Sequence, residues 1–93
     1  MSFILVKNKN NTTGKTLPTG YTSWLDFWEK SKRKKALVCE RMLCKNTAEV
    51  GGHVIKSGEG NKEYILPLCK DCNHTSNIEE FKAWESDLIA VKN

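Results

Sequence analysis

No stretch of this sequence approaches the roughly 20 apolar residues that a helix needs to cross a bilayer. The first apolar run, Phe3 to Val6, is short, and its lysine follows the run instead of preceding it. That is the reverse of a secretory signal. No membrane partner is expected, and the chain is read as cytoplasmic. Internal repeats and low-complexity segments are missing too, which excludes repeat arrays. Apolar residues are themselves sparse, 39% of 93 residues. One small domain is the most that this length supports. Such a domain buries too little surface to rely on its core alone, so a cross-link is expected.

What the chain does have is four cysteines in two close pairs. Cys39 and Cys44 form Cys-x4-Cys; after 24 residues, Cys69 and Cys72 form Cys-x2-Cys. In a reducing compartment such pairs bind metal more often than they oxidise. Each pair puts two sulfurs on one tight turn, and two turns complete a tetrahedron around Zn2+. Disulfides or free buried thiols are the alternatives. With all four ligands supplied by protein, the zinc is structural and its binding energy is folding energy. The metal also changes the charge balance. The formal net charge is +4; one Zn2+ on four thiolates adds 2 − 4 = −2, leaving about +2. Any argument for an anionic partner therefore rests on where the cations lie.

They lie together. Lys30, Lys32, Arg33, Lys34 and Lys35 crowd the end of an expected helix over 23–35, capped by Thr22 or Ser23. Trp24, Phe27 and Trp28 fall at i, i+3 and i+4, one face of that helix, which suits packing on a core. The cations are either a solvated helix end, favoured by the dipole, or a phosphate-contacting patch. Residues 1–22 read as a partly irregular N-terminal arm, in which Phe3–Val6 is a short strand or a docked segment. Residues 23–93 read as the single domain. The Val- and Ile-rich segments 48–56 and 62–68, separated by a Gly-rich loop, predict a hairpin. Ser76 and Glu79 have capping-box spacing, and Ile78, Phe81, Trp84 and Leu88 have helical spacing, which predicts a C-terminal helix. The whole is a small α+β, zinc-stabilised domain: zinc knuckle, β-hairpin, C-terminal helix, with an N-terminal helix in front. That order is the treble-clef arrangement; a zinc ribbon is the alternative.

The residues Cys39–Cys44, Gly52-His53-Val54 and Ile65 to Asn73, "ILPLCKDCN", resemble the zinc-bearing HNH endonucleases over roughly half the chain. The resemblance implies a ββα-metal hairpin and helix. It puts His53 at the general-base position and Asn73, or His74 one residue on, at a ligand position for a second, catalytic divalent ion such as Mg2+ or Mn2+. It also puts Gly52 where the family has an anionic or imidazole ligand, and Tyr64 where it has the asparagine that orients the base. A hard cation loses its anionic side-chain ligand at Gly52, and with it the charge that would stabilise a phosphate in reaction. Of the nearby carboxylates, Glu49 shares a strand face with His53 but sits too far along, and Glu59 or Glu63 would replace the ligand only by swinging in from the loop. His53 alternatively serves as a hydrogen-bonded residue of the hairpin. The expectation is a catalytically degenerate HNH-like module that binds nucleic acid or a nucleic-acid-handling protein. The alternatives are a metal-dependent endonuclease using His53, and a small phage-type interaction or inhibitor factor whose zinc is architectural.

Overall fold

The computed structural model describes residues 2–9, 17–58, 62–74 and 79–91. Five strands form one antiparallel sheet: β1 (Phe3–Asn8), β2 (Val50–Lys56), β3 (Glu63–Leu68), β4 (Phe81–Trp84) and β5 (Ile89–Ala90). Their spatial order is β4-β1-β2-β3-β5. Helix α1 (Trp24–Lys32) precedes β2, and a single turn, α2 (Lys70–Asn73), follows β3. Among the described residues no helix is long and apolar enough to cross a membrane.

The two sheet faces have different partners. On one face Val6, Val54, Tyr64, Leu66, Leu68, Phe81 and Ala83 form the core together with the cysteines. Each fully buried Leu or Val side chain there contributes about 1.5–3 kcal/mol. On the other face α1 lies against β2 and β3 and brings in Trp28, which is almost fully buried like Ile65. The Trp28 indole N–H donates to the Asp87 carbonyl at 2.7 Å. The amphipathic aromatic spacing of residues 24–28 is thus used for packing.

Helix α1 starts as its residues dictate. Ser23 is the N-cap, its hydroxyl accepting from the Asp26 N–H at 3.0 Å, and Asp26 in turn accepts from the Thr22 N–H at 3.1 Å. It ends at Lys32, earlier than the expected 35, because Arg33 turns left-handed at φ 59° and its N–H bonds back to Glu29. The first strand is no appendage: β1 pairs with both β2 and β4 and lies inside the sheet.

The expected C-terminal helix is corrected. Residues 81–84 are a strand, paired with β1 through Phe3–Trp84, Ile4–Ala83, Leu5–Lys82 and Val6–Phe81. The spacing of Phe81, Trp84 and Leu88 suits a helix, but Phe81 and Ala83 also alternate with Lys82, the period of a strand. Phe81 and Ala83 go into the core and Lys82 faces water. The capping pair Ser76–Glu79 has its first member outside the described residues, and the helix after Cys69 is one turn long.

Pro67 sits inside β3 without breaking it. Its carbonyl accepts from the Glu40 N–H at 2.8 Å, so that side of the residue faces away from β2. The missing proline N–H therefore leaves the β2–β3 ladder intact, and β5 pairs only with Tyr64 and Ile65. Gly51 has a packing reason. A Cβ there would lie 2.6 Å from the Leu25 backbone nitrogen and 2.6 Å from the Trp24 carbonyl carbon. The glycine is what lets α1 touch β2. Gly51→Ala is expected to push α1 off the sheet and destabilise the domain by about 1–3 kcal/mol, read by denaturant unfolding of the zinc-loaded protein; wild-type stability in that variant would refute the close approach.

Candidate metal centre

Two turns bring the four cysteines together. The first begins at a bridge between Val38 and Thr47. The Cys39 N–H then bonds the Asn46 carbonyl at 2.8 Å and the Cys44 N–H bonds the Arg41 carbonyl at 3.0 Å. Leu43 closes the loop with φ 70°, a conformation few non-glycine residues adopt. The same loop is laced to the sheet: Glu40 donates to Pro67 of β3, and Met42 donates to Lys82 of β4 at 2.9 Å. The second turn is α2. Cys69 is its N-cap, and its sulfur accepts from the Cys72 N–H at 3.5 Å. The Asn8 amide of β1 donates to the Cys72 carbonyl at 2.7 Å and fastens that turn to the sheet.

The sulfurs of Cys39, Cys44, Cys69 and Cys72 all lie within 4.8 Å of one another. Cys44 is 3.9 Å from Cys69 and 3.8 Å from Cys72. A Zn–S bond of about 2.3 Å in a tetrahedron gives sulfur–sulfur edges of about 3.8 Å. A disulfide needs about 2.05 Å, and all four cysteines are free. The donor set, four thiols at tetrahedral edge length, fits a metal ion such as zinc. No second cluster of this kind occurs among the described residues.

No protein-family model, curated protein or solved structure matches this chain.

Electrostatics agree with a site built to receive positive charge. Burial opposes ionisation of Cys69, but the Cys72 N–H, the Asn46 amide at 3.6 Å and neighbouring thiols bring it down to about 7. Burial pushes Cys39 up to about 11. Cys72 is pushed far up by burial and by the surrounding sulfurs. Four thiols this close, three of them buried, cannot all ionise beside one another, and a divalent cation removes that conflict.

The residues expected to do hydrolysis are not on one surface. His53 points to the α1 face of the sheet. Its ring meets the edge of Trp24 at 4.8 Å, and its Nδ1 is 3.8 Å from Glu63 Oε1; both side chains are buried. Gly52, its neighbour on the strand, faces the other way, under Asn73. A Cβ on Gly52 would lie 2.5 Å from Asn73 Oδ1 and 2.6 Å from Leu68 Cδ1. His74 is the C-cap of α2, its N–H bonding the Asp71 carbonyl at 3.3 Å, and its side chain is exposed. Tyr64 is packed in the core with the Lys56 ammonium 4.9 Å from its ring centre. Of the carboxylates, Glu49 accepts from the Lys70 N–H at 3.2 Å, Glu63 faces His53, and Glu59 lies outside the described residues.

The cations at the end of α1 are exposed, apart from the half-buried Lys32, but largely engaged. Lys30 pairs with Asp26 at 3.3 Å, Lys34 with Asp87 at 3.4 Å and Lys35 with Glu29 at 4.0 Å. Lys32 donates to the Ser86 carbonyl. Arg33 is exposed. Five cations against Asp26, Glu29 and Asp87 leave 5 − 3 = +2 locally.

Sequence reading missed three participants. Asn46, two residues after Cys44, carries a weak signal, an amide close to a ligand. Asn8 carries none, being 64 residues from the carbonyl it holds. Glu40, beside Cys39, is pushed from 4.5 up to about 8 by burial and by the adjoining Asp87 carboxyl, against a weaker pull from Lys34. Because its pKa rises on folding, protonated Glu40 favours the fold below about 4.5, and that contribution is lost as pH climbs to about 8. The stability of zinc-saturated Glu40→Gln relative to wild type is therefore expected to rise steadily from the acid end of the zinc-binding range upward. The variant should become the more stable protein by pH 8.5. A melting difference that stays constant with pH would show that Glu40 is already ionised in the fold.

Proposed function

We propose that this chain is a non-hydrolytic, zinc-stapled HNH-like module that docks on nucleic acid through the cations at the end of α1. The observation that carries the reading is the closure of position 52. The space where an anionic side chain would reach a hard cation is filled by the Asn73 amide, at 2.5 Å from a hypothetical Cβ. An aspartate there would have to displace Asn73 and Leu68. His53, one residue on, is turned to the opposite face, between Trp24 and Glu63. A base without a metal on the same side of the sheet lacks the electrophile that phosphodiester hydrolysis relies on.

The docking half of the reading is supported by the position of Lys30, Lys32, Arg33, Lys34 and Lys35, clustered at one exposed helix end. Their carboxylate partners do not remove them from use. Exposed ion pairs contribute only about 0–1 kcal/mol, so phosphates can displace the carboxylates. The zinc holds this surface in place indirectly. The Lys34 partner Asp87 follows β4, and β4 is fastened to the first cysteine turn by the Met42–Lys82 bond.

Duplex binding is expected to fall with salt at a log–log slope between about −2 and −4.5, the limits set by a net +2 and by five phosphate contacts. Changing the five cations to Gln should abolish most of that slope. Plasmid DNA with Mg2+ or Mn2+ should stay intact with wild type and with His53→Ala alike. Nicking by wild type that is lost in His53→Ala would overturn the non-hydrolytic reading, and a slope indifferent to the five substitutions would overturn the docking surface.

A further inference from the structure

The helix α1 covers β2 and β3 but leaves the same face of β1 and β4 open. Strand alternation sorts those residues. Ile4, Val6, Phe81 and Ala83 point into the core, while Phe3, Leu5, Lys7, Lys82 and Trp84 point out. Register places Phe3 opposite Trp84 and Leu5 opposite Lys82. The Phe3 and Trp84 rings are stacked, centroids 3.8 Å apart and planes 30° from parallel. Phe3 is 48% exposed and Leu5 43%. Lys7 and Lys82 are exposed beside them, and neither makes an ion pair among the described residues. Glu80 and Glu85 flank β4 directly at its two ends, and Glu85 is 3.1 Å from Lys56.

We propose that this outer face of β1 and β4 is a stacking platform for the bases of single-stranded nucleic acid. The proposal rests on the nucleic-acid reading for its class of ligand, but on a separate surface. The exposed Phe3 ring, stacked on the half-buried Trp84 ring, extends a π-stack that a base can join with its own face. Duplex bases are already stacked and have none free, which selects single strands. Lys7 and Lys82 flank the rings where the sugar–phosphate chain of a stacked strand has to pass, so the charge matches the backbone as the rings match the bases. A protein partner would meet the same Phe3, Leu5 and Trp84, but two lysines without carboxylate partners favour an anionic occupant. The sheet register makes the platform stiff. Phe3 and Trp84 are held by backbone pairing on neighbouring strands, and the Glu85 N–H closes the strand end on the Ser2 carbonyl at 2.9 Å.

The test uses the full zinc-loaded chain and two fluorescent probes, a short oligothymidine and a mixed-sequence duplex. Trp84→Thr and Phe3→Thr, both compatible with a strand, should each weaken oligothymidine binding by about 5- to 100-fold, the range of one lost base stack, and leave the duplex unchanged. Lys7→Gln with Lys82→Gln alters exposed side chains only and should reduce the oligothymidine salt slope by about 1.4. That variant carries the test should an aromatic substitution unfold the sheet. Oligothymidine binding that ignores both the aromatic and the lysine changes overturns the platform. So does wild type that self-associates and becomes monomeric in Trp84→Thr without binding oligothymidine, since the face is then a protein interface. Loss of duplex binding on changing the α1 cations, with oligothymidine binding kept, separates the two surfaces. Duplex binding without any oligothymidine binding removes the platform and leaves the α1 reading standing.

Discussion

Four sulfurs drawn to within 4.8 Å of one another tie together parts of the chain that have little else in common. Cys39 and Cys44 sit on a loop whose backbone bonds reach β3 at Pro67 and β4 at Lys82. Cys69 and Cys72 sit where β3 ends, on a turn bonded to β1 through Asn8. Joining the two turns therefore fixes β1, β3 and β4 at once. A sheet of five short strands, with two of them only two and four residues long, has little else to enforce its order. Metal binding in small structural sites is worth on the order of 10–16 kcal/mol, as large as the whole stability of a typical domain. Without the metal, burial pushes Cys39 and Cys72 away from ionisation, and at Cys72 the surrounding sulfurs add to it, so the same geometry that suits a cation is unfavourable without one.

Two glycines show how tightly the remaining packing follows from that frame. Gly51 and Gly52 are adjacent on β2 and face opposite sides of the sheet. One gives α1 its seat, and the other gives the Asn73 amide its seat beside the metal centre. Neither has a positive φ; what each needs is the absence of a side chain. The expectation that Gly52 was a lost ligand and the observation that it is a packing position are two aspects of one fact. The volume a ligand would need now belongs to a neighbour.

Much of this was legible in the sequence where the signal is local. The cysteine spacing, the Val- and Ile-rich hairpin around its Gly-rich loop, and the Trp24–Trp28 stripe each carry their reason within a few residues. Long-range choices were not legible. The segment from Phe81 to Leu88 satisfies helix and strand spacing together, and pairing with β1, nearly 80 positions earlier in the chain, decides for strand. The turn at Arg33 has no glycine or proline to announce it. Asn8 could not be connected to Cys72 without the fold. The relative placing of the candidate hydrolytic residues was hidden for a similar reason. Motif order puts His53 and Asn73 in one phrase, while strand alternation puts them on opposite faces.

If the cluster of four cysteines holds the sheet together through a bound metal, hydrogen exchange shows it most directly. The reduced chain is compared with one equivalent of zinc and after chelation. With zinc, the amides of Glu40, Met42 and Glu49, which reach across to β3 and β4, and those of β2 and β3 should exchange slowly and together. Without it they should exchange at the rate of an unfolded chain, because the frame is lost as a unit. A metal-free, reduced protein that keeps the β2–β3 protection would contradict the account and make the four cysteines incidental to the fold.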